Sequence, residues 1–560
     1  MKKSTFMSAV LSGFVFMGVS LFPALLSSCK STDVTIPFSE NIEQTKTTEI
    51  IQTKNGKVRG ISNPKTSVEL FAGIPFAEPP VGNLRWKEPV DVHNWDGILE
   101  ADHFAPMAMQ SRYPKIVTKI FNAYIHSSGD RTDFGPMSED CLYLNIWRPA
   151  GTDANSKLPV LVYIHGGSLV SGSSWFESYD GEALAQKGII VINIAYRLGV
   201  FGYFAHEDLI KESPNNTTGN YGLLDQIKAL EWINKNVECF GGDVQNITIA
   251  GESAGSSSVN ALCASPLSKG LFRRAIAESS SLVIQVPSHT FRSKEAALDM
   301  GKKIMEEFKA TSIDDLRAVP AEKLVKTSHA NNAMTVDPYA MPEYPWEIYQ
   351  KGLNHEEALL NGFNHNEGLA FTFLSNINKR NYKKMLYESP YITDVEGLCK
   401  LEEIETNSQA KQFYTDIFSV VCFTYPHYSW TKVVSAQGKP VYEYIFTKEN
   451  SGVSTMHSGE MVYAYGNLDK NKKNIYNGED YKLEAIMTEY WANFVKYGNP
   501  NGDNLPLWED SSKLGEHCGE YVLELGTEVR TVIDPFLKYY EYINFDIDPL
   551  KRPPTFGKKE

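Results

Sequence analysis

The 560-residue sequence predicts an α/β fold: a large, mostly parallel sheet with helices on both faces. Three observations carry that prediction. Apolar, β-rich runs at Val160 to Ile164, Ile189 to Ala195, Ile247 to Ala250, Ala358 to Leu360 and Val441 to Phe446 alternate with helical stretches, the pattern of repeated strand–helix–strand units. Between Gly222 and the stop at Gly241-Gly242, the residues Leu223, Leu224, Ile227, Leu230, Ile233 and Val237 recur about every 3.6 residues, which predicts a helix with one apolar face. The run Ile247 to Ala250 leads into Gly251-Glu252-Ser253-Ala254-Gly255 and then into small residues as far as Ser258, a strand turning sharply into a helix. In such sheets the functional site lies beyond the carboxyl ends of the strands, where Ser253 would sit.

Composition bounds the rest. Apolar residues make up 42% of the chain, with 29 Tyr, 28 Phe and 9 Trp, enough for a large core and incompatible with a disordered chain. The net charge is −14 and no run of five basic residues occurs, so nucleic acid is not an expected partner. After residue 30 no segment holds 18 uninterrupted apolar residues, so no internal membrane span is expected.

At the amino terminus Lys2 and Lys3 precede a largely apolar stretch from Phe6 to Leu26, followed by Ser27, Ser28 and Cys29. A basic end, an apolar middle and small residues are the layout of a secretory signal. The cysteine directly after Leu-Ser-Ser resembles a bacterial lipobox. That resemblance implies cleavage before Cys29, a lipid on its sulfur, and an exported protein tethered to a membrane of the bacterial envelope. An ordinary signal peptide with an incidental cysteine, giving a secreted or periplasmic protein, stays open, as does an uncleaved anchor helix. Residues 30–47 are rich in Ser, Thr and Glu and read as a polar tether. The first β-like run after it is Glu49-Ile50-Ile51-Gln52. The expected division is a signal over 1–28, a tether over 29–47, one globular domain over 48–545 and a polar tail over 546–560. Six further cysteines are scattered with no C-x-x-C pair, which gives a metal site no support.

G-x-S-x-G at Gly251 to Gly255 makes Ser253 a candidate nucleophile. Its hydroxyl is weak until a base takes its proton, so it calls for a histidine, an acid behind that histidine, and N–H groups for an oxyanion. Val160 to Ile164 is a second strand ending in a glycine turn, His165-Gly166-Gly167-Ser168-Leu169. Backbone N–H groups exposed by such a turn, together with that of Ala254, are suited to stabilising a tetrahedral oxyanion. Glu367 follows the apolar run Ala358 to Leu360, as an acid at a strand end should. Asp337 also follows an extended stretch. His457 lies in a loop after Val441 to Phe446, and His365 sits two residues before Glu367.

An ordered series of segments resembles the type-B carboxylesterases, the cholinesterase-like branch of the α/β hydrolases. It begins with Gly73 to Pro80, Leu84-Arg85-Trp86, Ser138 to Ile146, and His165-Gly166-Gly167. It continues with Tyr179-Asp180-Gly181, Asn193 to Arg197, Phe240 to Asp243, and Gly251 to Gly255. Last come Gly362 to Gly368, His457 to Glu460, and Tyr490-Trp491 through Asn499-Pro500-Asn501. The resemblance implies an α/β-hydrolase fold with insertions over the site, and hydrolysis of carboxylic esters without a cofactor. It implies Ser253 as nucleophile, Glu367 as acid and His457 as base, with the oxyanion held by the N–H groups of Gly167, Ser168 and Ala254.

The sequence departs from the family in four respects. Ser168 stands where a third glycine or an alanine is usual, and its Cβ restricts the backbone and narrows the space beside the ester. Leu169, where many relatives have an aromatic residue, is expected to line the same substrate-pocket wall. Ser279-Ser280 replaces the usual Ser-Gly, and Ser279 either bonds the triad or satisfies a buried turn. Cys141 matches a cysteine often disulfide-bonded in the family, but Pro106-Met-Ala-Met-Gln110 lacks the usual partner. The stretch from Met107 to Met137 and the largely helical residues from about Phe371 to Lys432 are expected to cover the site. Phe371, Phe373 and Tyr382 read there as pocket or as core. A small-molecule ester is the expected partner. The alternatives are an esterase acting on acetyl or aryl esters of polysaccharides, and a non-catalytic binding protein of the same fold.

Overall fold

The computed structural model describes residues 36–37, 45–111, 135–284, 291–329, 332–450, 455–470 and 475–544. Cys29 with the signal, the tail over 546–560 and most of the Met107 to Met137 stretch lie outside the described residues. The centre of the molecule is a twelve-stranded sheet. Its strands, in chain order, are β1 (Lys46–Thr47), β2 (Ile61–Asn63), β3 (Val68–Pro75), β4 (Tyr143–Pro149), β5 (Leu158–Ile164) and β6 (Ile190–Ile194), then β7 (Gly242–Glu252), β8 (Arg274–Glu278), β9 (Leu359–Asn364), β10 (Val441–Phe446), β11 (Tyr521–Leu525) and β12 (Val529–Ile533). In space they run β1-β2-β3-β4-β6-β5-β7-β8-β9-β10-β11-β12. The seven strands from β6 to β11 are parallel, and the strands beyond them at each edge are antiparallel. The edge strand starts at Lys46, two residues before the expected start of the globular domain.

The central strands are buried on both faces, and β5 shows how. Val160, Val162 and Ile164 face one apolar core, while Leu161 and Tyr163 face another. Side chains alternate across a strand, so one seven-residue strand supplies both layers. Onto the first face pack α1 (Tyr221–Asn236), which is the helix expected between Gly222 and Gly241, and α2 (Ala254–Ala264). The helix α3 (Leu369–Thr372) follows β9. The long helical region α4 (Asn407–Ser419) and α5 (Tyr425–Ser435) also joins the first face. The second face is covered by α6 (Gly478–Tyr497), through Leu483, Met487, Trp491 and Phe494.

Register places the loops that matter. Ile164 at the end of β5 pairs with Gly251 near the end of β7, so the turn after β5 and the turn after β7 emerge side by side. One buried ion pair secures the neighbouring strand end. Arg197, just past β6, donates from Nε and Nη2 to the carboxylate of Asp225 on α1 at 2.8 Å each, and its backbone N–H donates to the same carboxylate at 3.0 Å. All six described cysteines are free, Cys141 among them, so the bridge the sequence left without a partner is absent here.

Removing one member of a buried pair strands the other charge. Asp225→Ala is therefore expected to destabilise the protein by about 3–5 kcal/mol, read as a lowered midpoint in urea unfolding. An unchanged midpoint would show that the pair contributes nothing.

Candidate active site

Ser253 sits between β7 and α2 with φ 57° and ψ −123°, a conformation that a residue with a side chain rarely adopts. Close packing enforces it. An added Cβ at Gly255 would fall inside contact distance of the Ile164 carbonyl oxygen, and one at Gly251 would lie 2.5 Å from the Gly255 carbonyl carbon. On the facing turn, a Cβ at Gly166 would lie 2.5 Å from the Glu252 oxygen and 3.1 Å from the Ser253 Cβ. The glycines let two backbone turns touch across the strand ends. The Ser253 N–H then donates to the Glu278 carbonyl at 2.8 Å, and α2 starts with Ser257 N–H to Ser253 O at 3.0 Å.

The turn after β5 is held from several sides. The Gly167 carbonyl accepts from the N–H groups of Val170 and Ser171 at 3.1 and 3.0 Å. Tyr196 stacks on the His165 ring and donates its hydroxyl to the His165 carbonyl at 2.7 Å. Gln110 brackets Gly172 through one donated and one accepted bond. Gly167, Ser168 and Leu169 follow one another with φ of 105°, 56° and 60°. Among the described residues, no acceptor takes the N–H of Gly167, Ser168 or Ala254 in a hydrogen bond. Ser168 is exposed at the mouth of this turn. Leu169, expected on the pocket wall, differs: it has no exposed surface and packs into the first core, because its backbone turn directs the side chain under the loop.

His457 lies in the loop after β10 and joins two groups. Its Nε2 is 2.8 Å from Ser253 Oγ, and its Nδ1 is 2.6 Å from Glu367 Oε2. Glu367 is wholly buried beyond the end of β9. Its other oxygen accepts from the Asn364 N–H at 2.8 Å and from Ser279 Oγ at 2.5 Å. Of the two readings open for Ser279, the bond to the acid is present. Asp337, the competing acid, is turned to a structural task. It accepts from Thr217, Asn220 and the N–H groups of Tyr339 and Ala340. His365 packs on Phe536.

Three further buried carboxylates surround this line, and the sequence reading assigned them no role. Glu252 Oε1 lies 3.4 Å from His457 Nε2 and accepts from Ser458 Oγ at 2.6 Å. Glu460 accepts from Asn364 Nδ2 at 2.5 Å. Glu278 accepts from the Tyr465 hydroxyl and the Trp491 ring N–H. Burial pushes the carboxyls of Glu252 and Glu278 above the usual range, and that of Glu460 up to about 8. Burial acts on His457 in the opposite sense, favouring the neutral ring. The negative charges of Glu252 and Glu367, with the Glu367 hydrogen bond, outweigh it and hold the imidazole up at about 9. Glu252 and Glu460 lie inside the motifs around Ser253 and His457, so their place in sequence was the available signal. Phe371, left between pocket and core, comes to the site with its ring 5.3 Å from that of His457, whereas Tyr382 is core. Among the described residues no cluster of His, Cys, Asp and Glu is arranged to hold a metal ion.

A hydroxyl against one imidazole nitrogen, a buried carboxylate against the other, and N–H groups in the adjoining turns with no acceptor among the described residues form an arrangement suited to acyl transfer. The comparisons with known proteins agree with that chemistry. The model of the carboxylesterase family matches residues 47–535. Fumonisin B1 esterase of Sphingopyxis macrogoltabida is 30% identical over 504 residues, covering 85% of this chain and 86% of that protein. The medium-chain fatty acyl-CoA hydrolase precursor of Anas platyrhynchos is 32% identical over 494 residues, covering 82% and 86%. Among solved structures, the Geobacillus stearothermophilus carboxylesterase EST55 superposes with a TM-score of 0.75 at 28% identity, covering 88% of this chain and all of that one. The chain belongs to the carboxylesterase family and is a serine carboxylesterase.

Proposed function

We propose that Ser253, His457 and Glu367 hydrolyse carboxylic esters through an acyl-enzyme. The observation that carries this reading is the unbroken line from Ser253 Oγ through both nitrogens of His457 to Glu367, at 2.8 and 2.6 Å. His457 Nε2 takes the Ser253 proton as the oxygen attacks the ester carbonyl, then returns it to the departing alcohol. Glu367 holds the ring with Nδ1 protonated and stabilises the imidazolium. The N–H groups of Gly167, Ser168 and Ala254 receive the charge on the carbonyl oxygen. Water, activated by the same histidine, then releases the acid and restores the serine. The proposed substrates are small or medium neutral esters. The Ser168 side chain, exposed on the turn after β5, is proposed to narrow the alcohol side. We further propose that the chain is exported and anchored through a lipid on Cys29, a reading supported by the lipobox-like Leu26-Ser27-Ser28-Cys29.

Incubation with a phosphonylating serine reagent should abolish hydrolysis of a short-chain aryl ester and place the label on Ser253 by mass spectrometry. Ser253→Ala should keep its fold and lose activity by about a thousandfold or more. A label elsewhere, or activity surviving the substitution, would identify another nucleophile. Since the base must be neutral to act, the acid limb of kcat/KM should lie above the ordinary histidine range near 6.5 and toward 9. Glu252→Gln removes a negative charge 3.4 Å from Nε2, so it should move that limb to lower pH; no movement would exclude Glu252 as the source of the shift. For the anchor, Cys29→Ala should yield an unlipidated protein released from the membrane fraction, whereas an unchanged membrane fraction would contradict lipidation at Cys29.

A further inference from the structure

The long helix over 407–435 is not uniform. Between α4 and α5, residues Val420–Thr424 form one wide turn, in which the Tyr425 N–H reaches back five residues to the Val420 carbonyl. Such turns are rare and recur at functional sites. Here the turn has a visible consequence. Phe418 and Phe423 are five residues apart, which on a regular α-helix would separate them by about 140° around the axis. Both nevertheless meet the same ring, that of Phe371, at 5.6 Å, and Phe423 stacks on it. An extra residue in the turn brings positions five apart onto one side, which is what the shared contact requires.

That side faces the base. The rings of Phe423 and Phe371 lie 5.1 and 5.3 Å from the His457 ring, tilted by 49° and 58°. The His457 side chain is only 12% exposed, and these two rings account for contacts that neither Ser253 nor Glu367 makes. The acid is tied to the same helix. The Gly368 N–H, next to Glu367, donates to Ser419 Oγ at 2.8 Å, and Thr372 bonds Thr415 at 2.7 Å. Gly368 has no room for a Cβ, which would lie 2.5 Å from the Thr415 carbonyl oxygen. One helix therefore fixes the position of the acid through α4 and the tilt of the imidazole through the wide turn.

We propose that Phe423, turned toward the site by the wide turn at Val420–Thr424, is a positioning residue that with Phe371 clamps His457 between Ser253 and Glu367. The inference rests on His457 being the base. Two hydrogen bonds in the ring plane leave rotation about the line between them unopposed; aromatic faces on one side of the ring resist that rotation by packing, and they also favour the imidazolium electrostatically. The clamp acts on catalysis through the geometry of proton transfer, so it should affect every ester alike.

The test uses the full-length enzyme with Phe423→Ala and Phe423→Leu, assayed on an acetyl and an octanoyl aryl ester and with a small phosphonylating reagent. The expected result for Phe423→Ala is a kcat lower by about 10- to 100-fold on both esters, KM within about twofold, and slowing of Ser253 phosphonylation by a matching factor. Phe423→Leu, which restores bulk, should recover most of the rate. A second variant lacking Val421, which returns the turn to α geometry, should melt cooperatively and share the kcat defect. Should deletion unfold the chain, the Phe423→Ala measurements decide alone. A loss carried by KM, or one present for the octanoyl and absent for the acetyl ester and the reagent, would make Phe423 a pocket wall and overturn the proposal, as would unchanged kinetics. Failure of His457 as base would show separately, as wild-type activity retained in His457→Ala.

Discussion

The site depends on one steric constraint: two backbone turns must touch where β5 and β7 end. Ile164 and Gly251 are paired in register, and Gly255 has no space for a side chain against the Ile164 carbonyl. From the other side, Gly166 lies against Glu252 and Ser253. Neither turn adopts its conformation in isolation at low cost, since Ser253, Ser168 and Leu169 all hold positive φ, which costs on the order of 1–3 kcal/mol per residue. The buried sheet beneath them supplies the stability that holds this geometry. Because the contact is between backbones, it sets the turn carrying Gly167 and Ser168 against the turn carrying Ser253 and Ala254 before any substrate arrives.

The electrostatics follow from the same crowding. Four carboxyl groups, those of Glu252, Glu278, Glu367 and Glu460, are buried around one histidine. Burial opposes the ionisation of Glu252, Glu278 and Glu460, and the hydrogen bonds from Ser458, Tyr465, Trp491 and Asn364 counter it. The result is an environment that favours a positive charge on His457. Positioning and charge are thus supplied by different layers: the sheet ends fix Ser253, the carboxylates bias His457, and the helix over 407–435 packs against both the acid loop and the imidazole.

Much of this was legible in the sequence because it is written in local patterns. The alternating apolar runs marked five of the parallel strands, and the 3.6-residue period marked α1. Glycines on either side of Ser253 announced the close approach, and the order of family-like segments pointed to Glu367 and His457. What escaped was set by three-dimensional packing. Asp337 and Glu367 both follow extended stretches, and only the fold shows the first serving a turn and the second facing His457. Leu169 was expected to face the pocket; two successive left-handed residues place it in the core instead. The turn at Val420–Thr424 has no composition of its own, being five unremarkable residues within a helical pattern, so the arrival of Phe423 beside His457 could not be read from spacing.

The most direct test is a crystal structure of the enzyme carrying a phosphonate adduct, which mimics the tetrahedral intermediate. The adduct should sit on Ser253 Oγ, with its oxyanion-equivalent oxygen about 2.7–3.1 Å from the N–H groups of Gly167, Ser168 and Ala254 and both glycine turns unmoved. An oxygen pointing away from those three groups, or a turn after β5 rebuilt to reach it, would contradict a site preformed by backbone contact.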